Sequence, residues 1–137
     1  MLSPYLRHKE RVATQIALLL NQHNKLNVKY SSRNILQGRE LYLPTVISSK
    51  VFASVALKKV SFSLSEICHL VVHPEMRGIG LGKLLVEKAV KNSKASFLYA
   101  TIRSDNIASQ KAFIANQFEK VSEKVVDDHT LFMYVRK

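Results

Sequence analysis

HPEMRGIGLGKLLVEKA, residues 73–89, decides how this chain is read. Glycines alternate there at Gly78, Gly80 and Gly82, and the whole chain of 137 residues has only four. An apolar run, SEICHLVVH (65–73), leads into them and Pro74 stops it. An amphipathic run follows, with Leu81, Leu84, Leu85 and Ala89 on one face and a Glu87–Lys91 pair outside. Strand, glycine turn and helix in that order make a cradle for phosphate. Bare backbone lets successive N–H groups approach an oxyanion, and the helix start adds about half a positive charge. A turn that only joined a strand to a helix would not need three glycines.

Spacing separates the phosphate-binding turns from one another. A dinucleotide-binding G-x-G-x-x-G read from Gly78 and Gly80 would need its third glycine where Lys83 stands. A P-loop would use Gly82-Lys83, but glycine is absent at Met76-Arg77 and Leu84 replaces the hydroxyl that holds magnesium. What fits is R-x-x-G-x-G, Arg77 to Gly82, behind V-x-P at Val72-His73-Pro74. On these residues the sequence resembles the GNAT superfamily of acetyl-CoA-dependent N-acetyltransferases, which bind the pyrophosphate of acetyl-CoA on this turn. A second family motif lies in order behind the first. Asn106, Ser109, Phe113 and Phe118 match N-x-x-[AS]-x-x-x-[YF]-x-x-x-x-F, the helix after the family's fifth strand.

The resemblance implies an α/β (α+β) fold, one domain over residues 1–137, with a cofactor-binding core at about 64–121. Its sheet would be mixed, mostly antiparallel and flanked by helices, with the family's fourth and fifth strands splayed to admit the pantetheine arm. The implied reaction moves an acetyl group from acetyl-CoA to a primary amine of a small molecule or protein by direct attack, without a metal. The implied cofactor contacts are Leu70, Val71 and Val72 on the opened strand, and Arg77, Gly78, Ile79, Gly80, Leu81, Gly82 and Lys83 on the turn. Asn106, Ser109 and Phe113 complete them from the later helix. Resemblance also puts the Leu70 N–H at the thioester oxygen and makes Glu66 a catalytic base, since an amine must lose a proton before it attacks. Many relatives have tyrosine at the position of Phe113, which protonates the departing sulfur. Phenylalanine cannot, so slower turnover or another donor is expected, with Tyr99 and Tyr134 as candidates. Gln117 stands where relatives have glycine.

Elsewhere, Ser3-Pro4 reads as the start of a helix over 4 to about 22, with Val12, Ile16, Leu19 and Leu20 inside. SSRNILQG (31–38) reads as a short second helix. Strands are expected at 40–48, 50–60 and 65–73, and SFLYATI (96–102) reads as a strand buried on both faces. A helix over about 106–116 and two strands around Asp127-Asp128 complete the order α-α-β-β-β-α-β-α-β-β. No strand leads the helices, which leaves a sheet edge that a homodimer could cover.

Bulk composition narrows the setting. There are 21 Lys and Arg against 10 Asp and Glu, a net +11 that attracts anions. The basic residues are scattered and not interleaved with aromatics, so a dedicated nucleic-acid binder is not favoured. The longest purely apolar run is Ile16–Leu20, too short for a membrane span, and MLSPYLRHKERVATQ lacks the apolar centre of a secretory signal. One cysteine, Cys68, allows no internal disulfide and no cysteine-rich metal site, which points to the cytoplasm. It reads as a small buried hydrophobe. His69 and His73, four apart on a strand, would be about 13 Å apart, too far for one metal. Asp127-Asp128 is a turn signal that could also draw an amine. Two other readings remain: a CoA-binding regulatory module with weak catalysis, and a nucleic-acid-associated basic protein.

Overall fold

The computed structural model describes residues 4–24 and 29–137; Ser3, read as a helix cap, lies outside them. Helix α1 (Pro4–His23) is followed by the short α2 (Ser32–Gln37) and three strands, β1 (Glu40–Ile47), β2 (Lys50–Lys59) and β3 (Leu64–Val72). A single 3-10 turn, Pro74–Met76, leads to α3 (Leu81–Asn92). Strand β4 (Phe97–Arg103), helix α4 (Ile107–Ile114) and the hairpin β5 (Glu119–Val126) and β6 (His129–Arg136) follow. This is the expected element order with one added turn.

The strands form a six-stranded sheet in the order β1-β2-β3-β4-β6-β5. Every neighbouring pair is antiparallel except β3 and β4. Those two pair in parallel only at Leu64–Phe97, Ser65–Leu98 and Glu66–Tyr99, and then part. The expected splay is therefore present. It begins just past Glu66.

Helices cover both faces. Against one face, Leu85, Val86 and Ala89 of α3 and Ala112 and Phe113 of α4 pack on Val55, Ile67, Leu98 and Ala100. Against the other, Ala13, Ile16, Ala17 and Leu20 of α1 and Ile35 of α2 pack on Val51 and Val71. The change of side along β3, from Ile67 to Val71, has a local cause. Ala56 pairs with Cys68 but Ser54 with Val71, so β3 carries an extra residue opposite β2. His69 takes φ +53 within this bulge, and the side-chain alternation slips by one.

Two expectations about burial change. Leu84 does not join the inner face of α3 but is 58% exposed, because the helix turns Leu85, Val86 and Ala89 inward and leaves Leu84 on the flank. Strand β4 is not buried on both faces: Leu98, Ala100 and Ile102 are buried, while Phe97 and Thr101 are exposed. The helices on the other face, α1 and α2, pack on Val51 of β2 and Val71 of β3, and their core cluster includes no residue of β4.

Strand β1 is an edge, and Pro44 within it offers no N–H to a further strand. The β1 ladder is also interrupted between Thr45 and Val46. The other edge, β5, is a Lys- and Glu-rich strand exposed along nearly its whole length. Both are common ways of blunting an edge. Among the described residues no helix is long and apolar enough to cross a membrane.

Candidate active site

The parting of β3 from β4 opens a cavity of about 580 Å³. Its wall takes Glu66, Cys68, His69 and Leu70 from β3, Thr101 and Arg103 from β4, and Asn106, Ser109 and Phe113 from the α4 region. Asn24, at the end of α1, and Tyr30 close it from the opposite side of the sheet. The cavity thus passes through the sheet and is bordered by helices on both faces.

Each border has a local cause. Asn106 caps α4, its Oδ1 accepting the Ser109 N–H at 3.1 Å, as its place before an apolar helical run predicts. Phe113 is buried and meets Phe118 edge-on at 5.0 Å between ring centres. Gln117, just before Phe118, adopts φ +69, the left-handed conformation that glycine takes without strain. Asn24 Nδ2 donates to the Leu70 carbonyl at 3.2 Å, tying α1 to the bulged stretch of β3.

The glycine turn sits at the β3 end of this opening. Gly78 and Gly80 take φ +84 and +83, and open space lies where a Cβ would project from either. Glycine is needed there for backbone conformation and leaves the surface bare. Gly80 caps α3 without any side-chain hydrogen bond, so the first turn of the helix starts without a side-chain acceptor for its N–H groups. Arg77 Nε donates to the Val72 carbonyl at 3.0 Å and anchors the turn to the end of β3. Asn116 Nδ2 donates to the Lys83 carbonyl at 3.1 Å and joins α4 to the first turn of α3. Exposed backbone, a helix start and a neighbouring slot fit a diphosphate with an extended arm.

Of the residues expected at the site, Glu66, Leu70, Asn106, Ser109 and Phe113 line the cavity. Arg77, Gly78, Ile79, Gly80 and Lys83 are exposed on the turn and at the start of α3; Leu81 and Gly82 are half-buried there. Val72 is half-buried, whereas the Val71 side chain is buried against α1 and leaves only its backbone for an extended ligand. Asp127 and Asp128 stand at the tip of the β5–β6 hairpin and do not line the cavity. Of the two candidate acids, Tyr134 donates its hydroxyl to Gln110 Oε1 at 3.1 Å, away from the wall, while Tyr99 is hydrogen-bonded to Glu66.

Glu66 belongs to a row that the linear sequence does not display. Glu40 pairs with Lys58, Lys58 with Glu66, and Glu66 with Tyr99, across four strands. Burial raises the Glu66 pKa above 4.5, and Glu40 adds to this; Lys58 and the Tyr99 hydrogen bond pull it down. Burial first, then Glu66 and Glu40, push the Cys68 thiol up to about 12, which keeps it protonated and poorly nucleophilic. Among the described residues no group of three His, Cys, Asp or Glu is placed to hold a metal ion.

Residues 13–115 match the sequence model of the acetyltransferase (GNAT) family. The chain belongs to that family. It is accordingly an acyltransferase of the class that uses acetyl-CoA. No individually curated protein matches the sequence. Solved GNAT structures share the fold at low identity. The Salmonella typhimurium protein yncA, solved with its cofactor acetyl-CoA, is 18% identical with a TM-score of 0.77 over 95% of this chain and 89% of its own. A ribosomal-protein-alanine N-acetyltransferase from Brucella melitensis is 18% identical with a TM-score of 0.74 over 94% of each chain. The Escherichia coli ribosomal-protein-S18-alanine N-acetyltransferase is 14% identical with a TM-score of 0.72 over 90% of this chain and 85% of its own.

Sequence reasoning missed Glu40, Lys58, Tyr30 and Tyr42, and weighed His69 only as a metal ligand. No local signal marks the first four. Glu40, Lys58 and Tyr42 reach the site through cross-strand register and the bulge, and Tyr30 through its backbone bonds to Asn21, all properties of the folded chain.

Proposed function

We propose that this GNAT protein transfers the acetyl group of acetyl-CoA to a primary amine of a small molecule or protein by direct attack, Glu66 taking a proton from the amine. The observation that carries the reading is the cavity itself: it runs through the sheet from Asn106 and Phe113 to Glu66 and Tyr30. One face can admit the pantetheine arm from the glycine turn while the other admits the amine. Backbone N–H groups of residues 77–83 hold the diphosphate, and Asn106 and Ser109 border the arm. The Leu70 N–H braces the carbonyl oxygen as negative charge develops there.

Glu66 suits its role because its raised pKa makes it a stronger base than an ordinary carboxylate. The amine enters protonated, and the cavity offers Glu40 and Glu66 near it. Two structural relatives are named for N-acetylating alanine of a ribosomal protein, so amines on proteins lie within the reach of this fold. The lone Cys68 fits a reducing, cytoplasmic setting.

The test is a panel of amines, including amino acids, polyamines and peptides with free N-termini, incubated with acetyl-CoA. Free thiol and acetylated product are both measured. Transfer is expected, and Glu66→Gln should lower kcat/KM by about 10²-fold and remove the acidic limb assigned to Glu66. Acetyl-CoA binding without transfer to any amine would favour a CoA-binding regulatory module instead.

A further inference from the structure

Opposite the glycine turn, the cavity holds a cluster that the reaction above leaves unused. His69 sits in the β3 bulge at φ +53, a conformation that non-glycine residues seldom adopt. Its ring is held from both ends: Tyr30 Oη lies 3.2 Å from Nε2, and Tyr42 Oη 2.8 Å from Nδ1. The Tyr30 ring meets the imidazole edge-on at 5.0 Å, and the Tyr42 ring stacks on it at 5.9 Å. A neutral imidazole has one N–H and one lone pair, so one tyrosine donates to it and the other accepts from it.

Tyr30 is itself fixed. Asn21 on α1 accepts the Tyr30 N–H on Oδ1 and donates from Nδ2 to the Tyr30 carbonyl, both at 2.8 Å. Tyr30 and His69 face the main cavity, whereas Tyr42 lines a second one of about 390 Å³ between α1, α2 and β1. Phenol, imidazole and phenol therefore form a hydrogen-bonded chain from the reaction chamber to a residue in the wall of the second cavity.

Amide formation from a protonated amine strips two protons from the nitrogen. A protonated primary amine has three N–H bonds and its acetylated product has one. Two protons leave the nitrogen; one ends on the sulfur of coenzyme A and the other in solvent. Glu66 can take one of them. Resting on the amine-acetyltransferase reading, we infer that Tyr30 and His69 form the relay that takes the other. Tyr30 receives a proton from the amine nitrogen as it passes its own hydroxyl proton to His69 Nε2. The imidazolium so formed donates its Nδ1–H to Tyr42, whose hydroxyl proton passes to solvent in the second cavity. The relay ends neutral with the imidazole proton moved from Nδ1 to Nε2, and exchange with solvent returns it to Nδ1 before the next turnover.

The surroundings keep the imidazole neutral and ready to accept. Burial lowers the His69 pKa; Glu40 from β1 opposes this and Lys58 from β2 reinforces it. Cys68, its neighbour on β3, is protonated, and Tyr30 and Tyr42 are phenols with pKa values raised by burial.

The experiment compares kcat against pH for the wild type, Tyr30→Phe and His69→Asn, at saturating acetyl-CoA and amine. Asparagine tolerates the left-handed backbone at position 69. On a logarithmic plot the wild type should steepen on its acid side to two ionisations, those of Glu66 and His69. Each variant should show one, with kcat lowered by about 10²-fold and KM for acetyl-CoA unchanged. A uniform loss that keeps both ionisations, or wild-type kcat in Tyr30→Phe, overturns the relay. If His69→Asn does not fold, Tyr30→Phe decides by the same criteria. A wild type that acetylates no amine overturns the functional reading beneath, a result distinct from loss of the relay because it is seen before any variant is compared.

Discussion

Phe113 forms part of the cavity wall with its ring set against Phe118, where many relatives carry a tyrosine that hands a proton to sulfur. A thiol of pKa near 8.5 can leave as thiolate with modest help, so in the proposed reaction the phenylalanine is expected to slow the step without abolishing it. Phe113→Tyr is expected to raise kcat by up to about 10²-fold with little change in KM for acetyl-CoA, read by thiol release. Glu66 makes a second prediction, on stability. Its pKa is raised in the folded protein, chiefly by burial, so the fold binds its proton more tightly than the unfolded chain does. The associated stability is present below the unfolded value of 4.5 and is lost as pH rises through the folded one. At neutral pH the charged, half-buried carboxylate is therefore a cost. Glu66→Gln should melt higher than the wild type at pH 7, the gap narrowing as pH falls toward the ordinary carboxylate range. Thermal unfolding at both pH values checks this alongside the expected loss of activity.

Among the elements, the β1–β2 hairpin turns through Ser48 and Ser49, with φ +50 and +67. Two positive φ values in a two-residue loop are those of a type I′ turn, which favours Asn-Gly. Serines are held there with help from α1: Gln15 Nε2 donates to the Ser49 carbonyl at 3.1 Å, and its Oε1 accepts the Val51 N–H at 2.7 Å. Replacing Ser48 with Asn and Ser49 with Gly leaves both backbone groups in place. The double variant should gain about 1 kcal/mol, a rise of roughly 3 °C in Tm, measured by thermal unfolding.

The elements also mark what the sequence could and could not disclose. Helices α3 and α4 are legible because their caps and glycines are local signals, and Asn106 lies where its cap chemistry places it. Strand β4 is misread because FLYATI is almost continuously apolar, yet the helices of its second face pack on β2 and β3, and Thr101 on that face fronts the slot. The bulge at His69 arises from unequal residue counts between β2 and β3, and nothing within either segment announces it. Tyr30 and Tyr42 become site residues only once that bulge has turned His69 toward them.

At the scale of the molecule, one sheet does two jobs. Its helix-covered faces hold the core, and its single parallel junction fails past Glu66 and so provides the slot. The row from Glu40 to Tyr99 crosses four strands and places the half-buried Glu66 carboxylate where the two parallel strands part. The net charge of +11 favours, over the molecule as a whole, a ligand bearing several phosphates. Everything depends on bare backbone at the start of α3 gripping such a ligand. Calorimetric titration of acetyl-CoA into the wild type and into Gly80→Asp tests this most directly. The account predicts one-to-one binding by the wild type and its loss in the variant, whose new carboxylate would stand in the space left open at Gly80. No heat of binding from the folded wild type, or equal affinity in the folded variant, would contradict it.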